Sequence, residues 1–154
     1  MGMFSGSVSP SDYKKLKTGM GGAKVDAGDY EVVATGEMRH FEPRDGKLGA
    51  YIPKFQITPN NENEEFHGDV LEARLQYDPS PATAGRETMN NITLQNMAQL
   101  IEATGIEPVN GNDGNVDLIK SIQAVLASEP VLMVTVSHSE DGKYQDVGNF
   151  RPAV

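Results

Sequence analysis

In residues 28–43, "GDYEVVATGEMRHFEP", apolar and polar positions alternate. Tyr30, Val32, Ala34 and Met38 take one side; Glu31, Val33, Thr35, Glu37 and Arg39 take the other. A period of two predicts a half-buried strand, bulged at Gly36. "EPRDGKLG" follows, and its Asp45-Gly46 pair predicts a hairpin turn. The second strand reads "AYIPKFQITPN", with Tyr51, Phe55 and Ile57 opposite Ile52, Lys54 and Gln56. Pro53 has no N–H for a ladder, so this strand is expected at an edge or at a bulge. A third strand, "DVLEARLQYD", sets Leu71, Ala73, Leu75 and Tyr77 against Val70, Glu72, Arg74 and Gln76.

The period then changes. "DPSPATAGRE" reads as a Pro-containing connection, and "NITLQNMAQLIEATGI" carries a helical stripe of Leu94, Met97, Leu100 and Ile101. Thr93 or Asn91 is the expected cap and Gly105 the stop. "DLIKSIQAVLASEP" predicts a second helix through Leu118, Ile122, Val125 and Leu126. Two strands close the chain, "PVLMVTVSH" and "KYQDVGNFRP", joined by a turn at Asp141-Gly142. The pattern is mainly β with a helical insertion. Five strands with helices between the third and fourth is the order of the OB-fold, a partly open five-stranded barrel. A sheet covered on one face by two helices has the same order.

Ahead of this pattern, residues 1–27 are rich in Ser and Gly and show no period. They read as a flexible basic leader, and residues 28–154 as the folded domain. Composition sharpens the contrast. The 154 residues carry a net charge of −9, yet residues 1–24 hold four Lys and one Asp, leaving −12 for the rest. Such a body repels polyanions at long range, so any nucleic-acid binding needs a local basic surface. There is no Cys, hence no disulfide, thiolate zinc site or Cys nucleophile. No apolar run approaches the roughly 20 residues of a membrane span, and no signal-peptide pattern opens the chain. A cytoplasmic protein is expected.

Catalytic signatures are missing. His40, His67 and His138 have no ligand spacing, and "NGNDGNVD" lacks the register of a calcium loop. No phosphate loop or nucleophile elbow occurs, and "GMGG" lies in the leader. No enzyme, metal or cofactor is expected. The basic and aromatic residues are more ordered. Arg39, Phe41, Lys54 and Arg74 lie opposite the apolar face, Arg44 and Lys47 flank the first turn, and Lys143 and Tyr144 flank the last. Tyr51 and Tyr77 join them. In an OB-fold the strand 2–3 face and these two loops form the oligonucleotide surface, with cations for phosphates and rings for bases. Lys14, Lys15 and Lys17 on the leader are expected to fold over a bound strand.

Three stretches carry a family resemblance: "AGDYEVVATGEM", "LQNMAQLIEATGI" and "VLMVTVSHSEDGKYQDVGNFRP". With them, most of residues 26–152 resembles the small phage-encoded single-stranded-DNA-binding proteins of replication and recombination modules. The resemblance implies an OB-fold, sequence-tolerant binding of single-stranded DNA, no cofactor, and phage recombination or replication proteins as partners in the host cytoplasm. Many single-stranded-DNA-binding proteins end in an acidic tail, whereas this chain ends "NFRPAV". Neither pattern nor resemblance separates DNA from RNA, and both permit a homo-oligomer without requiring one. The rival expectation, which the net charge favours, is an acidic protein-interaction or structural module of a phage, a virion or host-takeover protein.

Overall fold

The computed structural model describes residues 23–153 together with Gly6, Ser7, Ser9 and Pro10. Six strands lie in one antiparallel sheet: β1 (Gly28–Phe41), β2 (Gly49–Ile57), β3 (Val70–Glu72), β4 (Leu75–Tyr77), β5 (Val131–His138) and β6 (Gln145–Pro152). Two helices, α1 (Ala84–Thr104) and α2 (Leu118–Ala127), lie between β4 and β5 in the chain. The sheet order is β3-β2-β1-β5-β6, with β4 also on β2. β3 and β4 pair with opposite ends of β2, so they are the expected third strand broken at Ala73 and Arg74.

Pro53 explains the break. Of the two places its proline suggested, an edge or a bulge, β2 takes the second: it lies between β1 and β3/β4, beside a register irregularity. Both neighbours adjust there. β1 shifts register between Ala34 and Met38, where Gly36 takes φ 84°, and Met38 then pairs with Pro53. On the other side Ala73 leaves the ladder and donates its N–H to the Pro53 carbonyl at 3.2 Å. The missing donor thus sits where neither neighbour is regular.

The sheet is coiled enough that Phe55 on β2 and Phe150 on β6 meet at 5.7 Å between ring centroids. Around them Val32, Leu71, Leu132 and Val134 pack with Leu100, Ile101, Ile122 and Val125 from the helices. Among the described residues no strand pairing joins β3 or β4 to β6, so hydrogen-bonded strands do not close the sheet into the five-stranded OB-like barrel that the strand order suggested. Other parts of the chain bridge the gap. At one end Ala23 donates its N–H to Val70 (2.7 Å), while the Gln145 side chain bonds Ala23 O and Val25 N–H (2.8 and 3.0 Å). Ala23 and Val25 are buried in the core, so the folded unit includes residues 23–25 of the stretch read as leader. At the other end α1 packs on β4 and β6.

That helix starts earlier than its stripe suggested. Thr83, not Thr93 or Asn91, is the cap, accepting the Arg86 N–H at 3.2 Å. Thr93 lies in the middle of α1, buried, donating to Gln76 O at 2.5 Å. Asn90 bonds both backbone groups of Asp78 at 2.8 Å. These bonds fix which face of α1 turns inward. Met97, Leu100 and Ile101 are buried as expected, whereas Leu94 is 49% exposed. Gly105 ends the helix at φ 71°, a conformation that favours glycine.

Candidate nucleic-acid interface

Register divides the expected site residues between two faces. Lys54 pairs with Glu72 and Arg39 with Ile52, on the face outside the core. Tyr51 pairs with Leu75 and Gly49 with Tyr77, in line with the inward residues Phe55 and Leu71. Tyr51 and Tyr77 therefore extend the core face past its apolar end and do not share a surface with Arg39 and Lys54.

On the outer face the two cations are already engaged. Arg39 Nη2 donates to both Glu72 oxygens at 2.7 and 2.8 Å. Lys54 Nζ lies 3.4 Å from Glu37 and 4.0 Å from Glu72. Two cations and two carboxylates leave this patch formally neutral. The Glu72 side chain is only 7% exposed, so its pairing with Arg39 is poorly screened. The Arg39 guanidinium also sits 5.3 Å from the ring centroid of Phe41, itself 44% exposed.

At the β1–β2 end, three rings form a row. His40 stacks on Tyr51 at 4.1 Å and 6°, and Tyr51 on Tyr77 at 5.6 Å. His40 Nε2 and the Tyr77 hydroxyl are hydrogen-bonded at 2.8 Å. Burial, then the neighbouring Tyr51 and Glu42, push the Tyr77 hydroxyl above its ordinary range, so it stays neutral. Gly49 makes room for the row: a Cβ there would lie 2.5 Å from Tyr77 Cζ.

The β5–β6 loop carries Lys143 and Tyr144, the latter 71% exposed. Asp141 shapes it by accepting from the Ser139 hydroxyl (2.6 Å) and the Lys143 N–H (3.0 Å). These bonds, Ser139 first, hold its carboxyl below the usual range. Lys24 joins the loop through Gly142 O at 3.3 Å. Arg44 and Lys47 flank the β1–β2 turn, where Lys47 N–H bonds Arg44 O. Arg74 does not stand beside Lys54; it lines a groove between β4, α1 and β6. Lys14, Lys15 and Lys17 lie outside the described residues.

His40, His67 and His138 bond to Tyr77, Asn61 O and Gln145 respectively. Among the described residues no three or more His, Cys, Asp or Glu gather to hold a metal, and no helix is long and apolar enough to cross a membrane. Sequence reasoning missed Arg86 and Lys24. Reading "DPSPATAGRE" as connection throughout hides Arg86, although Thr83 three residues before it is a cap signal. Lys24 falls within the stretch read as leader. No known protein-family profile and no curated protein sequence matches the chain.

Proposed function

We propose that this protein binds single-stranded DNA with little sequence preference, stoichiometrically and without catalysis, as a phage replication or recombination component. In this reading β3 and β4 count as one strand and the sheet works as an OB-like barrel, its open side bridged by residues 23–25 and by α1. The carrying observation is an exposed ring with a neighbouring cation at two places, the end of β1 and the β5–β6 loop. Phe41 lies under Arg39, and Tyr144 follows Lys143. Exposed rings with neighbouring cations suit a strand whose bases are unstacked from a duplex.

A second reading has its own observation. Glu72 and Glu37 neutralise the outer-face cations, which suits an acidic protein-interaction module of a phage. Substituting the exposed rings separates the two. Phe41→Ala and Tyr144→Ala should each weaken oligo-dT binding by about 1–3 kcal/mol while circular dichroism stays native. Unchanged binding in both variants would remove the sheet and its loops as the site.

A further inference from the structure

The β1–β2 turn and the start of α1 wall a cleft of about 380 Å³. Three cations line it: Arg44 and Lys47 from the turn, Arg86 from the helix. Among the described residues none of the three has a carboxylate within ion-pair distance, unlike Arg39, Lys54 and Arg151. Asp45 and Asp78 also line the cleft, and Asp78 Oδ1 accepts the Ser80 N–H at 3.0 Å. The lining is formally +1 on a chain of −9. The helix end itself offers less, since Thr83 already takes the Arg86 N–H.

What lies next to the cleft narrows the ligand. Tyr77 of the aromatic row immediately precedes Asp78, and Phe41 stands two residues before Pro43, another lining residue. A cleft whose cations lack carboxylate partners suits a phosphate, and rings that adjoin its lining residues in the chain suit a base. We propose that this cleft holds a phosphate group of a nucleotide or of a strand backbone, and that Arg86 contacts it. The inference rests on the single-strand reading for the natural ligand, but not for the phosphate chemistry.

The test uses the full chain, wild type and the variants Arg86→Gln at a half-buried position and Lys47→Gln at an exposed one. Inorganic pyrophosphate and oligo-dT are each titrated while backbone amide signals are followed by NMR. Pyrophosphate should shift amides of residues 44–47 and 83–87 in the wild type and much less in either variant. Oligo-dT affinity should fall about three- to tenfold per variant, as expected for one charge-assisted hydrogen bond. The log–log salt slope should shrink by about 0.7 for each phosphate no longer neutralised. Unmoved amides with pyrophosphate, and equal oligo-dT affinity in all three proteins, would overturn the cleft while leaving the single-strand reading standing. Pyrophosphate binding at the cleft without any oligo-dT binding would do the reverse.

Discussion

Glu72 sets the charge of the outer face, because a single nearly buried carboxylate holds Arg39 in two hydrogen bonds and stands near Lys54. Glu72→Gln keeps the shape and removes the charge. The patch then becomes +1, so oligo-dT should bind more tightly, with a salt slope steeper by about 0.7 if one more phosphate is neutralised. Stability should fall by about 1 kcal/mol as the charge-assisted bonds weaken. Equal or weaker binding would mean that the outer face does not meet the strand. Elsewhere, Asp29 accepts from the Thr135 hydroxyl at 2.7 Å and pairs with Arg151 at 3.1 Å. Those partners, Thr135 first, hold its carboxyl below the ordinary value. A depressed folded pKa adds stability above the unfolded range, lost as pH falls through the folded value. In an NMR pH titration, Thr135→Val should therefore raise the Asp29 midpoint more than Arg151→Gln does; no movement in either would dissolve the network. Residue types alone located Arg39, Lys54 and Phe41 on one strand face. They did not reveal that Glu72 and Glu37 would together neutralise the two cations, since pairing across strands is set by register.

The elements were legible where period and punctuation agreed. β1 with its Gly36 bulge, both Asp-Gly turns, α2 and the Gly105 stop all follow from local pattern. Misplacements came where tertiary contact overrode it. Pro53 stands in an interior strand because both flanking strands are irregular opposite it. The start of α1 escapes the pattern because residues 84–92 lack an apolar stripe; polar bonds from Asn90 and Thr93 to the end of β4 hold that part instead. Ala23 and Val25 gave no signal, two small apolar residues among glycines, yet they fill the gap between β3 and β6. Val25 is 3% exposed, so Val25→Ala should cost about 2 kcal/mol in denaturant unfolding, from lost burial plus the cavity left. A change below about 0.5 kcal/mol, the scale of ordinary surface substitutions, would show that the bridging segment is not part of the cooperative unit.

At the scale of the molecule, acidity and proposed ligand oppose each other. A net charge of −9 gives no long-range attraction for DNA, so binding must rest on short-range stacking and a few local cations. The architecture was legible as strand order but not in its open side, because the sheet is not closed by strands and the gap between β3 and β6 is bridged by residues 23–25, with α1 packed on β4 and β6. The site was legible as residue types near two loops. The division of Tyr51 and Tyr77 from Lys54 by face already follows from the period of two, whereas the removal of Arg74 to a separate groove depended on the broken third strand. The most direct measurement is a fluorescence titration of labelled oligo-dT, with duplex of equal length as competitor, across a salt series. Single strands should bind better than duplex, because the proposed surface offers rings for unstacked bases rather than a groove-reading helix. With about three to six phosphates neutralised, the log–log salt slope should be about −2 to −4. Duplex binding of equal strength, or no binding of any oligonucleotide at low salt, would contradict the account and leave the acidic interaction module in its place.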